Sequence, residues 1–360
     1  MKIAIVTGCS GLIGSESVKF LIKKNYKVIG IDNHMRGYFF GPDSSTESST
    51  KKLIDEFTNE FEFYNVDIRD YDSLENIFKK YSNDIEIIIH TAAQPSHDWA
   101  SKEPLTDFQV NANGTLNLLE LTRIYSHKSS FIFTSTNKVY GDNPNKLYIE
   151  EHPKRYVLSD KIFGNSIDES LSLDGCLHSL FGVSKLSADM LVQEYGKYFD
   201  MNTVSFRGGC LTGPNHASAE LHGFLSYLIK CIVHNKDYKV FGYKGKQVRD
   251  NIHSFDLVNM FWYYHSNPKK GEVYNAGGGI ENSISIIESI DLVNQICKEN
   301  INNWVTWDKF EIVDDNRIGD HIYYVTNYGK FKKDYPDWPG ITIPLKVIIE
   351  EMVLKEIEKL

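Results

Sequence analysis

The sequence predicts an α/β protein, a doubly wound parallel sheet with a smaller C-terminal lobe. Three observations carry that class. Short, nearly continuous apolar runs rich in β-branched residues recur through the first two thirds of the 360-residue chain, as strands buried on both faces do. Helix-like stretches separate them, and strand–helix alternation sets successive strands parallel. A glycine-spaced turn follows the first run and opens the first helical stretch. With 41% hydrophobic and 24% charged residues, the chain is not collagenous, low-complexity or largely disordered.

Taken in order, the strands are expected at Lys2–Val6, Lys27–Ile31, Glu62–Val66, Ile85–Ile89, Phe131–Phe133 and Thr203–Phe206. The helices between them are expected at Ser15–Lys24, Ser73–Tyr81, Thr115–Tyr125 and Ser184–Tyr198. Ser44–Thr50 reads as a polar, mobile loop. After Arg207 the alternation loosens. Segments 208–240 and 281–360 are mixed and rich in aromatic residues, including Tyr335-Pro336-Asp337-Trp338-Pro339-Gly340, and read as a second lobe. His253–Gly279 reads as a strand-and-helix return to the first domain. The expected division is 1–207 plus about 245–279 for the sheet domain, and about 208–244 plus 280–360 for the lobe.

A net charge of −9 argues against general nucleic-acid binding, which needs a basic face. It does not argue against a small phosphorylated substrate. Cys9, Cys176, Cys210, Cys231 and Cys297 are odd in number, widely spaced and form no CxxC, so neither a disulfide framework nor a zinc site is expected. The twelve histidines lack metal-ligand spacing, and no metal is expected. The apolar stretch before Gly8 is too short for a signal segment, and no run approaches the ~20 residues of a membrane span. A cytoplasmic protein without membrane contact is expected.

The glycine turn is Gly8-Cys9-Ser10-Gly11-Leu12-Ile13-Gly14. Gly8 permits a tight turn, Gly11 lets a pyrophosphate approach the backbone at a helix N-terminus, and Gly14 allows close packing of helix on sheet. In a strand–turn–helix context this spacing signals dinucleotide binding. Asp32 closes the second strand roughly 20 residues on, where a carboxylate accepts ribose hydroxyls and repels a 2′-phosphate. NAD is therefore expected over NADP, although Arg36 nearby is the residue type that accommodates such a phosphate. Asp67-Ile68, after the third strand, is placed to meet the adenine. Ala92, Ala93 and Gln94, after the fourth, let the cofactor pass close to the sheet.

These residues resemble the extended short-chain dehydrogenase/reductase superfamily of nucleotide-sugar enzymes. The likeness includes Thr7-Gly8-x-x-Gly11-x-x-Gly14, Asp67, His90-x-Ala92-Ala93, Asn111-x-x-Gly114-Thr115, Val139-Tyr140-Gly141 and Arg249-Asp250. Within it the chain resembles the CDP-paratose (CDP-tyvelose) 2-epimerase group through Asp32-Asn33 with Arg36, Thr136-Asn137-Lys138-Val139-Tyr140-Gly141-Asp142, Asp168-Glu169-Ser170, His178-Ser179 and Gly245-Lys246-Gln247-Val248-Arg249-Asp250. The resemblance implies a Rossmann domain and oxidation of a sugar hydroxyl by NAD, followed by stereochemical change and re-reduction. The implied cofactor contacts are Gly8, Gly11, Leu12, Ile13, Gly14, Asp32, Asn33, Arg36, Asp67, Ile68, Ala92, Ala93, Gln94, Asn111 and Lys185. Substrate contacts fall on Thr136, Asn137, Asn215, Arg249 and Arg317, with the two arginines on the diphosphate. The alternative for those arginines is ion pairing, Arg249 with Asp250 and Arg317 with Asp320. His216 and His222 are expected near the sugar or base.

The implied catalytic group is Ser/Thr plus Tyr-x-x-x-Lys. It falls on Thr136 and Lys185, but the Tyr position holds Phe181, which cannot take a proton. Lys138 and His178 are the first candidates to replace it, with Glu169 and Lys185 itself behind them. Asn137-Lys138 stands where related 4,6-dehydratases carry Asp-Glu. Three functions follow: a CDP-sugar 2-epimerase-like enzyme; a dehydratase or 4-epimerase with a rebuilt acid/base set; or a catalytically silent nucleotide-sugar-binding protein. A CDP-sugar is the favoured partner, and a homodimer through helices such as Thr115–Tyr125 and Ser184–Tyr198 is expected.

Overall fold

A computed structural model describes residues 2–216, 223–314 and 319–360. They form two compact units. The first comprises the chain up to Val139, Leu180–Gly208 and Leu257–Tyr274, and the second Tyr140–Ser179, Gly209–Asp256 and Asn275–Leu360.

The first unit is built on a seven-stranded sheet. Its strands are β1 (Ile3–Thr7), β2 (Lys27–Asp32), β3 (Phe61–Asn65), β4 (Ile85–His90), β5 (Ser130–Thr136), β6 (Asn202–Gly208) and β7 (Glu272–Ala276). They lie in the order β7-β6-β5-β4-β1-β2-β3. β1 pairs in parallel with both β2 and β4, so the chain winds outward to β3 and then crosses back beside β1. The carboxyl ends of β1 and β4 form the topological switch point where open α/β sheets bind ligands. Helices α1 (Leu12–Lys23), α2 (Tyr71–Tyr81), α3 (Gly114–Tyr125), α4 (Ser179–Tyr198) and α5 (Ser254–Ser266) connect the strands. Asp70 caps α2 by accepting from Ser73 N at 3.1 Å. The core under α2, α3 and α4 joins Ile3, Ile5, Ile29, Leu74, Phe78, Leu118, Phe131 and Val192. Each such side chain, fully buried, contributes about 1.5–3 kcal/mol.

Ser44–Thr50 is not a loop. A short turn at Pro42–Ser44 leads into a helix at Glu47–Glu56. Thr50 and Leu53, three apart, bury one face of it. The hydroxyl content misleads because those hydroxyls are used: Thr50 Oγ1 lies 2.5 Å from Ser10 Oγ, and Thr46 Oγ1 lies 3.3 Å from His34 Nδ1.

The second unit centres on the strand Val248–His253. That strand runs antiparallel to Ser283–Ser285 and parallel to both Tyr323–Tyr324 and Cys210–Thr212. Helices Phe224–Val233, Ile286–Asn300 and Leu345–Ile357 supply its core, with Leu228, Ile232, Val293, Ile296 and Ile348 fully buried. Ser285 and Glu288 form a reciprocal capping box on the second of these helices, which fixes where it starts. The division therefore falls differently from the sequence expectation. Residues 140–179, 245–256 and 275–279 lie with the second unit, and the strand Val248–His253 takes pairing partners distant in sequence. All five cysteines are free. Among the described residues no group of His, Cys, Asp and Glu is arranged to hold a metal, and no helix is long and apolar enough to cross a membrane.

Candidate functional site

The glycine turn joins β1 to α1. Gly8 has φ +67°, a conformation costly for any residue with a Cβ. A Cβ on Gly14 would lie 2.0 Å from Gly8 O, so helix and turn could not pack together with one. Gly11 differs: a Cβ there would meet only Gly8 O, at 3.4 Å. Its outer side is open to an approaching group. α1 begins at Leu12 with no side-chain cap and no acidic residue in its first turn, leaving its first N–H groups for an anion. Ile13, the next residue, is buried beneath the turn. This cradle fits the pyrophosphate of a dinucleotide.

Asp32, at the end of β2, accepts from Ser10 N at 3.1 Å and His34 N at 2.8 Å. The carboxylate is thereby fixed beside the turn, where an adenosine ribose would sit. Asn33 Nδ2 donates to Asp67 Oδ2 at 2.8 Å, and Arg69 grips both Asp67 oxygens at 3.0 and 2.7 Å. Burial works to raise the Asp67 carboxyl, but the Arg69 guanidinium outweighs it and holds the group below its ordinary value. Ile68 is buried, and a Cβ on Gly114 would strike it at 2.5 Å. The Arg36 guanidinium stacks 4.9 Å from the Phe40 ring centre. Burial lowers its pKa to about 10, which still leaves it cationic at neutral pH.

After β4 the chain passes Ala92 and Ala93 to Gln94. The side chains of Gln94 and Asn111 are consumed within the protein. Gln94 Nε2 donates to Asp107 Oδ1 at 2.8 Å, and Asn111 Oδ1 accepts from Gln94 N at 3.0 Å. Asn111 Nδ2 also reaches Asp107 Oδ1 and Ser184 Oγ, both at 3.0 Å. These two residues thus brace the wall of the site and tie the loop after β4 to α4.

Thr136 ends β5, and its Oγ1 accepts from Lys138 N at 3.2 Å. Asn137 between them is buried. On α4, Lys185 is only 4% exposed. Its Nζ donates to Thr134 O at 2.7 Å and lies 4.1 Å from the Phe133 ring centre. Burial lowers its pKa to about 7, against the opposing pull of Asp189 and Asp107. One turn earlier stands Phe181, 6% exposed. The first unit therefore carries Thr136 on β5 and Lys185 on α4, with the Phe181 phenyl ring one helical turn before Lys185.

The remaining sequence candidates belong to the second unit, apart from Lys138. His178 lies 3.4 Å from Cys176 Sγ. Glu169 Oε1 accepts from Asn275 N at 2.6 Å, and burial raises its carboxyl above the ordinary value. Arg249 does not pair with Asp250. Its Nη2 donates to Asp320 Oδ1 at 2.5 Å, while Nη1 donates to Val248 O. Asp250 is buried instead against Gly279 N and Thr326 N, because successive strand residues face opposite sides. Asn215 is exposed in the turn after Gly213. Arg317 and His222 lie outside the described residues.

The sequence reading passes over His97. Its imidazole packs edge-on against Phe181, ring centres 5.0 Å apart at 67°. The available signal was its place three residues after Gln94, a residue already assigned to the site.

The model of the NAD dependent epimerase/dehydratase family matches residues 4–277. The chain is 34% identical to CDP-paratose 2-epimerase from Salmonella typhi over 306 residues, 82% of this chain and 85% of the relative. It is 30% identical to dTDP-D-glucose 4,6-dehydratase from Dictyostelium discoideum over 301 residues, 82% of this chain and 62% of that one. The fold is similar to the crystal structure of UDP-glucuronic acid 4-epimerase from Bacillus cereus with UDP-glucuronic acid and NAD. That similarity has a TM-score of 0.78 at 23% identity, over 99% of this chain and 100% of the other.

Proposed function

Because this chain belongs to the NAD dependent epimerase/dehydratase family, we propose that it is a nucleotide-sugar epimerase of the CDP-sugar 2-epimerase type. The observation that carries this reading is the end of β5, where Thr136 is followed by buried Asn137 and by Lys138. Neither residue offers the carboxyl acid and base that water elimination employs, while a hydroxyl that orients a sugar is kept. The similarity to a CDP-paratose 2-epimerase supports the same choice.

The residues fit NAD, which when bound supplies reversible oxidation of a sugar carbinol with no net redox change. Gly11, Leu12 and Ile13 would hold the pyrophosphate, and Asp32 the adenosine ribose. Asn33, Asp67 and Ile68 would border the adenine, and Lys185 the nicotinamide ribose. Asp32 disfavours a 2′-phosphate by charge repulsion, and Arg36, drawn over Phe40, does not offset it. Thr136 orients the reacting hydroxyl. Asn137, Asn215, Arg249 and Arg317 are assigned to the nucleotide sugar. Arg249 already shares its charge with Asp320, so its diphosphate role would draw on the N–H groups that remain.

A homodimer is part of the proposal. Leu180, Val183 and Met190 on α4 and Ile124 on α3 are 50%, 45%, 36% and 50% exposed, a stripe suited to a second copy. Free cysteines throughout suit the cytoplasm. The test is incubation of the purified protein with CDP-, UDP-, GDP- and dTDP-sugars and NMR of the products. An epimer of a CDP-sugar without loss of water is expected; an unsaturated or keto-deoxy product points to a dehydratase. Phe181 favours one second reading, a binding protein without turnover, for which every sugar would be recovered unchanged.

A further inference from the structure

Removing a sugar hydroxyl's proton needs an acceptor, and Phe181 has none. The structure assigns that role to His97: we propose that its imidazole is the general base of the first unit, standing against the ring that replaces the expected tyrosine. The inference rests on the epimerase reading above. Its geometry is local to one unit. The two rings meet edge-on with centres 5.0 Å apart, and His97 is partly exposed. Imidazole is the side chain whose ordinary titration lies nearest neutral pH.

Its placement is braced. Ser96 N donates to Gln94 Oε1, and Gln94 Nε2 donates to Ser96 O at 2.8 Å. Gln94 is in turn locked to Asn111, and Asn111 Nδ2 reaches Ser184 Oγ on α4. Ser184 Oγ donates to Phe181 O at 3.0 Å. A continuous set of buried hydrogen bonds thus joins the residues leading into the short helix His97–Lys102 to the helical turn bearing Phe181 and Lys185. Buried, satisfied networks of this kind rigidify a site.

Within the first unit, Lys185 Nζ donates to Thr134 O and Lys138 follows Thr136, while the ring at the tyrosine position is met edge-on by His97. The step balances. The proton of the sugar hydroxyl would end on an imidazole nitrogen of His97 and the O–H pair would become the second carbon–oxygen bond, while NAD, held by Gly11, Leu12, Ile13 and Lys185, would supply the acceptor for the C–H bonding pair. In reverse, His97 would return the proton to the carbonyl oxygen, and the hydride would come back to the opposite face of the sugar carbon.

The test uses the full chain with its bound NAD and CDP-paratose. His97→Asn is expected to lower kcat by about 10²-fold or more, with KM and NAD content near wild type, since a positioned base contributes roughly 10²–10⁴-fold. Adding Phe181→Tyr to His97→Asn should restore at least about tenfold of that loss. A readout independent of turnover is diethyl pyrocarbonate labelling of wild-type His97, followed by peptide mass spectrometry. CDP-paratose should protect His97, and CDP alone should not. That measurement decides the matter even where a variant fails to fold. Wild-type turnover retained in His97→Asn, or labelling unaffected by the sugar nucleotide, overturns the role of His97 and leaves the epimerase reading standing. A wild type that leaves CDP-paratose unchanged overturns both.

Discussion

Asp32 couples the turn to the cofactor site through its bonds from Ser10 N and His34 N. Asp32→Ala removes a charged acceptor, which is worth about 1.5–3 kcal/mol. NAD retention after gel filtration should fall accordingly, and mass spectrometry of the nucleotide released from wild type should find NAD. Recovery of NADP would place the choice with Arg36. Lys185 carries a pH signature. Its folded pKa is lowered to about 7 by burial, against an ordinary 10.5. Between those values the unfolded chain holds a proton that the folded chain does not, so stability rises with pH. The slope approaches about 1.4 kcal/mol per pH unit. The unfolding free energy of wild type relative to Lys185→Met should therefore climb from pH 7 to pH 9 in urea titrations; a flat difference contradicts the assignment. Asp32 and the glycines were legible in the sequence because their chemistry depends on local spacing. His97 was not, because it meets Phe181 from more than eighty residues away.

On α4 one helix serves two tasks. Phe181, Lys185 and Asp189 recur every four residues and face inward, while Leu180, Val183, Ser187 and Met190 face outward, as helical spacing requires. Asp189 is fully buried. It accepts from Arg207 Nη2 at 2.9 Å, from Ser135 Oγ at 2.5 Å and from Gln193 Nε2 at 2.7 Å. These bonds pin α4 to β5 and β6, and hence Lys185 behind Thr134. Asp189→Ala breaks the buried ion pair with Arg207, at a cost of about 3–5 kcal/mol. Thermal and urea unfolding should register that loss, and unchanged stability would mean that Arg207 finds another acceptor. The periodicity of α4 was readable from Ser184 onward; its first turn was not, because the segment before it carries no capping pattern. The helix Glu47–Glu56 was hidden for a related reason. Its Ser/Thr content reads as loop until Ser10 and His34 are seen to satisfy those hydroxyls.

At the scale of the whole molecule, the winding of the sheet followed from the alternation of apolar runs and helices. The boundary between units did not, because the strand Val248–His253 takes its partners from segments far apart in sequence, and no local pattern encodes a non-local pairing. The outward stripe of α4 with Ile124 predicts a dimer. Sedimentation velocity should give twice the 41.3 kDa chain mass, and Val183→Glu with Met190→Glu should give monomers that keep their NAD; a wild-type monomer would contradict the dimer. The central claim is transient oxidation and re-reduction at one sugar carbon. Its direct measurement uses CDP-paratose carrying deuterium on the carbon that inverts. The account predicts an epimer that retains the deuterium on that carbon, with no loss of water and no net change in bound NAD. Deuterium released to solvent, or a product one water lighter, would contradict it.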